Sequence, residues 1–247
     1  TKEFAFLDLM ILATLEKVKN TVIQAMDHYD FVSATSALMN FMSSDLSSFY
    51  LDVNKDVLYC DKENSLRRRQ VQTVIDRCLD VLMRLWSPIL SFTMEEVFQN
   101  DPNHEGEYCA LLDYPEETHF YDEYLLQDYA KFLSFRNDVL KALEVKRGEG
   151  QIGSAQEAHV YAYVSDKALK DQLLSLSEDE LARLFVVSKM TIVDEMKDNE
   201  AIHVEKHDGI RCDRCWNYVD HVHDVFETHV CDRCYDVLKE FKDEEGE

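Results

Sequence analysis

A mainly α-helical protein, followed by a small α/β unit and a compact C-terminal module, is the fold this sequence predicts. Three observations lead there. Only 6 Gly and 3 Pro interrupt 247 residues that are 46% hydrophobic, so long helices are seldom broken. Apolar side chains recur at helical spacing through several long stretches before Arg147. Beyond it come short alternating and helical runs, and then two Cys-x-x-Cys pairs. The expected organisation is a helical bundle over residues 1–150, an α/β unit over 151–206 and a cysteine module over 207–247.

The first helix covers residues 4–28, where Leu7, Ile11, Leu15, Val18, Val22 and Met26 share a face. Asp30 is placed to cap a second helix, with Phe31, Ala34, Leu38, Phe41, Met42, Leu46 and Phe49 as its apolar stripe. Residues 52–63 read as a polar connection, with Val57, Leu58 and Tyr59 tucked under the helices. A third helix carries Val71, Val74, Ile75, Cys78, Leu79, Leu82, Leu85 and Trp86. Pro88 breaks it before a further stretch over 89–98. A turn-rich loop over 100–106 precedes a long helix over 123–146, in which Leu126, Tyr129, Phe132, Leu133, Arg136, Leu140 and Leu143 are in phase.

Alternation over 158–164 then predicts a strand. Residues 169–174 and 179–185 read as helical, 186–193 and 201–204 as extended, and 239–247 as a frayed acidic tail.

The cysteine pairs carry the strongest chemical signal. Cys212-Asp213-Arg214-Cys215 and Cys231-Asp232-Arg233-Cys234 are fifteen residues apart, the spacing of a four-thiolate zinc site. Zinc takes four soft ligands in a tetrahedron, and each tight knuckle offers two sulfurs. The surrounding Asp and Arg leave the stretch too polar to fold by burial alone, so a metal has to organise it. One zinc per chain is expected on Cys212, Cys215, Cys231 and Cys234. His221, His223 and His229 lie between the knuckles and rank as second-choice ligands. Cys60, Cys78 and Cys109 are isolated, and three leftover thiols argue against a secreted disulfide framework. A cytoplasmic location follows.

A net charge of −23, from 49 acidic and 26 basic residues, excludes binding to a polyanion through bulk charge, and DNA is not an expected partner. Any nucleic-acid contact must rest on local cations and stacking groups. Residues 4–15 are apolar but contain Asp8, lack a basic start and are too short to cross a bilayer, so no membrane partner is expected. Thr1 and the immediate onset of periodicity suggest a segment of a longer polypeptide.

Other motifs weigh less. Gly148-Glu149-Gly150-Gln151-Ile152-Gly153 follows a helix rather than a strand, which suits a helix stop and hinge better than a dinucleotide loop. Glu116/His119 and Glu200/His203 read as surface residues. No catalytic constellation is present in the sequence. Arg67-Arg68-Arg69 is the sharpest basic cluster. Arg69, Arg77 and Arg84 interleave with Asp76 and Asp80 at ion-pair spacing, whereas Arg67 and Arg68 lack such partners and are candidates for phosphate contact. Trp216, beside the first knuckle, reads as a core residue, with base stacking as the alternative.

Taken together these stretches resemble a family. Trp86-Ser87-Pro88-Ile89-Leu90-Ser91-Phe92-Thr93-Met94-Glu95-Glu96-Val97-Phe98 is similar to a segment of class I aminoacyl-tRNA synthetases for branched aliphatic amino acids. Tyr29-Asp30-Phe31, residues 48–56, Ser65–Arg69 and Ile152–Ala158 resemble the same region, although Ala155 and Gln156 depart from the usual pair. The module around Cys212–Tyr218 and Cys231–Cys234 resembles the C-terminal zinc module of bacterial isoleucyl-tRNA synthetases.

The resemblance implies an anticodon-binding helical domain, isoleucine tRNA as partner, and ATP used only in a catalytic half with HIGH and KMSKS signatures, which this sequence lacks, as it lacks an editing domain. On this reading the chain is non-catalytic by itself and contacts RNA through Arg67, Arg68, Arg214 and Trp216. A zinc-containing protein-interaction scaffold is the rival reading.

Overall fold

The structure, a computed structural model, describes residues 4–244, and the chain forms two compact units. One comprises the chain up to Asp52 with Leu66–Leu126; the other comprises Val53–Ser65 with the chain from Gln127 onward. The expected boundaries at 150 and 206 do not coincide with these units. The reason is that a short early helix and the long helix before residue 150 both belong with the C-terminal half.

In the first unit, α1 (Phe6–Asp27) packs against α2 (Phe31–Asn40) and α4 (Leu66–Trp86). Leu7, Ile11, Leu15 and Val22 of the predicted stripe are buried, and Met10 and Leu12 join them. Asp30 caps α2 as expected, accepting the Ser33 N–H at 3.1 Å. From Phe41 to Leu51 the helix continues in wider π-type turns that bury Phe41, Phe49 and Tyr50. On α4, Val71, Val74, Cys78, Leu82, Leu85 and Trp86 are buried, while Leu79 is 39% exposed. The helix ends before Pro88, and α5 (Ser91–Asn100) places Phe98 against Met83 and Cys109.

This core also encloses charge. Asp8 is fully buried, pairs bidentately with Arg67 (Nη2 to Oδ1 at 3.0 Å) and accepts the Tyr50 hydroxyl at 2.7 Å. Buried Lys19 donates to Glu16 at 2.6 Å and to the Glu116 carbonyl at 2.7 Å.

The second unit begins with a correction. Residues 52–60 are not a connection but a helix, α3 (Asp52–Cys60), because Val53, Val57 and Cys60 recur on one buried face. Tyr59 is 77% exposed rather than tucked in. The long helix α6 (Glu123–Gly148) ends at the glycine-rich stretch, where Gly150 takes φ +72°. Within this unit Phe132 and Phe135 meet Phe185 at centroid distances of 6.0 and 5.7 Å, and Arg136 Nε donates to the Leu184 carbonyl at 3.1 Å.

A three-stranded sheet follows, ordered β2-β1-β3: β1 (Ala158–Tyr163) lies parallel to β2 (Lys189–Val193) and antiparallel to β3 (Ile202–Lys206). Val160, Met190 and Val204 stand opposite one another in one buried row, and α7 (Lys167–Leu174) and α8 (Glu178–Phe185) pack on β2.

The remaining elements build the cysteine module. They are the strand pair β4 (Ile210–Arg211) and β5 (Tyr218–Val219), the hairpin β6 (His223–Val225) and β7 (Thr228–Val230), and α9 (Asp232–Glu244). α9 carries helix to residue 244 where a frayed tail was expected; residues 245–247 lie outside the described residues. Among the described residues, no helix is long and apolar enough to cross a membrane.

Candidate metal centre

Two local structures bring the knuckles together. The β4–β5 pair closes the first one: Cys212 donates to the Asn217 carbonyl at 2.9 Å, and the Trp216 N–H returns to the Cys212 carbonyl at 2.9 Å. Gly209 lets this turn tighten, since a Cβ there would lie 2.5 Å from the Val219 carbonyl oxygen. The second knuckle is the first turn of α9, with the Tyr235 N–H on the Cys231 carbonyl at 2.8 Å. The hairpin between them turns on Phe226 and Glu227, both at positive φ, as a two-residue hairpin requires. Asp213 fastens the first knuckle to β7 by donating to the His229 carbonyl and accepting the His229 N–H, each at 2.8 Å.

The four predicted thiols converge. Cys212, Cys215, Cys231 and Cys234 are buried, and their sulfurs all lie within 4.8 Å of one another. Cys215 and Cys231 sulfurs are 3.8 Å apart. Metal–sulfur bonds of about 2.3 Å in a tetrahedron separate sulfurs by roughly 3.8 Å, so the set fits a metal ion of that kind. The Cys231 N–H also points at Cys212 Sγ from 3.3 Å, supporting negative charge on that sulfur. Hydrogen bonds from Cys215, Cys231 and Cys234 hold the Cys212 thiol far below its ordinary range. Its three neighbours are pushed up, each first by its own hydrogen bond to Cys212. Four thiols in mutual reach can keep one negative charge among themselves; a dication supports four.

The second-choice ligands stay out of this set. His221 and His223 turn instead to Asp232, and His229 to Asp224 at 2.6 Å.

One member of the thiol core was not foreseen. Cys60, at the end of α3, shares the buried cluster with the four cysteines and with Val225 and Val230. A hydrogen bond from Cys234, acting against burial, lowers its thiol below the ordinary range. The only sequence signal for it was the Val53/Val57/Cys60 spacing.

The arginines around the module are occupied. Arg214 donates to the Cys60 carbonyl at 2.6 Å and the Tyr59 carbonyl at 3.2 Å, satisfying the last turn of α3, and lies 3.6 Å from Cys234 Sγ. Arg233 forks onto Asp56 at 2.5 and 2.7 Å and reaches Asp61 at 3.1 Å. Burial opposes the charge on Arg233, yet the two carboxylates keep it firmly protonated.

Trp216 departs from the core reading. It is 54% exposed, because its left-handed backbone (φ 67°) turns it away from the thiols, and Arg211 stands 5.4 Å from its ring. In the other unit Arg67 is committed to Asp8, and Arg68 is half-buried on the same turn of α4.

Comparison with known proteins adds a lineage to this geometry. The family model described as the anticodon-binding domain of tRNA ligase matches residues 8–162, more than half of the chain. Isoleucine–tRNA ligases of Staphylococcus aureus strains JH9 and Newman are 35% identical over 244 residues, covering 96% of this chain and 26% of each relative. The chain thus spans about a quarter of the length of the curated relatives it matches. With a family match that runs through the helical unit into β1, the chain belongs to the anticodon-binding domain family of tRNA ligases.

Proposed function

We propose that this chain is the tRNA-recognition part of an isoleucine–tRNA ligase that binds isoleucine tRNA at its anticodon and holds one zinc ion on Cys212, Cys215, Cys231 and Cys234. The observation that carries the reading is the 35% identity across 96% of the chain, which takes in both the helical stretches and the cysteine module. ATP and isoleucine belong to a catalytic half of the same ligase, outside these residues, and the enzyme works in the cytoplasm. Zinc is chosen over other metals because four thiolates in a tetrahedron suit it.

Within the proposed contact, Trp216 is the stacking platform: its exposure and the neighbouring Arg211 support placing an unstacked anticodon base on the indole. Arg68 is the phosphate contact. Arg67, bonded to Asp8, holds the helix that carries Arg68, and Arg214, bonded to the Cys60 carbonyl, holds the module that carries Trp216.

Binding of isoleucine tRNA and of a tRNA with a different anticodon to the purified chain tests the reading. The isoleucine tRNA should bind more tightly, and Trp216→Ala should cost about 1–3 kcal/mol without changing the salt slope. Arg68→Ala should weaken both RNAs and lower the slope by roughly one or less. Equal binding of both tRNAs, with Trp216→Ala inert and its zinc retained, would overturn the assignment.

A further inference from the structure

Beside the four thiols lies a second cluster of metal-ligating groups that the proposed function does not use. His221 precedes β6, His223 opens it, and Asp232 opens α9. His221 Nε2 lies 3.1 Å from the Asp232 carboxylate and His223 Nε2 lies 2.5 Å from it, all three donor atoms falling within 4.8 Å of one another. We propose that His221, His223 and Asp232 form a second, exchangeable binding site for a divalent transition-metal ion of the zinc class.

Three features support a site here rather than a surface hydrogen-bond pair. Two imidazoles use the same ring nitrogen on the same carboxylate, which leaves three donors converging on one point. Two nitrogens and one oxygen match the ligand types of zinc sites that keep a coordination position for water. The position of His223 is also fixed. His223 is held in register by pairing with Val230, its ring packs against Tyr235 at 4.7 Å, and buried Val225 and Val230 anchor the hairpin.

Arg233, next to Asp232, is already spent on Asp56 and Asp61. His221 and Asp232 also line a cleft of about 300 Å³ with Asp220, so an ion there has room for water.

In the metal-free form each imidazole hydrogen-bonds Asp232 through Nε2. When the ion binds, those protons move to Nδ1 through water, each ring stays neutral, and the Nε2 lone pairs turn to the metal. Bond lengths of about 2.0–2.2 Å require the donors to open slightly, which Asp232, with a side chain 65% exposed, is free to do. Binding is weaker and faster to exchange than on four buried thiolates. The proposal rests on a loaded thiol site, which holds the hairpin and the start of α9 in place.

The test counts ions on the 247-residue chain in reducing buffer at controlled free zinc, alongside cobalt spectroscopy. The expected result is a second equivalent that fills below about 100 µM free zinc and is removed by gel filtration against a mild chelator. His223→Ala and Asp232→Asn should each weaken it at least about tenfold, while His229→Ala leaves it unchanged.

Cobalt separates the two sites, because thiolate-to-metal charge transfer marks only the cysteine centre. With the cysteine centre already loaded, the imidazole-bound ion should add d–d absorption without further charge transfer. No second ion by about 100 µM free zinc, or one that survives His221→Ala/His223→Ala, would overturn the proposal.

Discussion

The bundle of α1, α2, α4 and α5 and the cysteine module solve the same problem in opposite ways. The bundle buries many large apolar side chains, among them Met10, Ile11, Leu15, Leu38, Phe41 and Leu85, and can afford the enclosed ion pairs of Asp8 and Lys19. Among the described residues the module buries little besides Cys60, the four knuckle cysteines, Val225, Val230 and Val237. Apolar burial is worth about 25 cal/mol per Å², so a core made of thiols cannot hold its loops closed by burial. The difference teaches where each region is vulnerable: the bundle through its polar interior, the module through the metal proposed for its four thiols.

Metal removal should separate them most sharply. Stripping the ion, or making Cys231→Ser, withdraws on the order of 10 kcal/mol of metal-derived folding free energy from the module. Amide exchange over residues 210–235 should become fast while α1 and α4 stay protected. Equal loss in both regions would erase the contrast.

The converse variant comes next. Asp8→Ala leaves the Arg67 guanidinium and the Tyr50 hydroxyl without their shared acceptor and should cost about 3–5 kcal/mol in the bundle. The two tryptophans make this readable by fluorescence, since buried Trp86 reports the bundle and exposed Trp216 the module. A shift confined to the Trp216 signal would contradict it.

Arg214→Ala is a smaller blow. It removes two charged donors from the carbonyls at the end of α3 and should cost about 2 kcal/mol in denaturant unfolding of the second unit. The bound metal should remain, because no ligand is lost. Metal loss in this variant would mean that the arginine supports the thiolates rather than the helix.

The smallest effect is pH-dependent. His159, on β1, donates to or accepts from Thr191 at 2.9 Å and stacks on Tyr161, and burial lowers its pKa to about 4, with Lys189 adding to the shift. Its ordinary value is near 6.5, so the unfolded chain takes up the proton first. This contribution is complete above about pH 6.5 and is lost as pH falls toward 4. Discounted for solvent access, it amounts to about 1 kcal/mol. His159→Gln should flatten the stability profile in that window, and an NMR titration of His159 with a midpoint near 6.5 would remove the effect.

Much of this architecture was legible because its signals are local. Helical spacing located α1, α2, α4 and α6, Asp30 announced a cap, Pro88 marked a break, and the doubled cysteine spacing named four residues that do converge. What escaped depends on partners distant in sequence. α3 read as a connection because Asp52, Asn54, Lys55 and Asp56 mask its one buried face, and Asp56 among them is there to receive Arg233. Arg67 lacked an acid on nearby turns, yet its acid is Asp8, fifty-nine positions away. Trp216 looked like core by residue type, and only its left-handed backbone turns it outward.

The clasp between α3 and the module has a consequence for synthesis. Arg214 meets the Cys60 carbonyl across 154 positions of sequence, and Arg233 meets Asp56 across 177. At about 5–20 residues per second, a ribosome delivers α3 some 8–30 s before the knuckle that will cover it. During that interval the Cys60 thiol and the carboxylates of Asp56 and Asp61 stand without their final neighbours. The nascent chain therefore presents an open thiol well before the rest of its core has been made, and this helix is where a chaperone or an early oxidation event would find it.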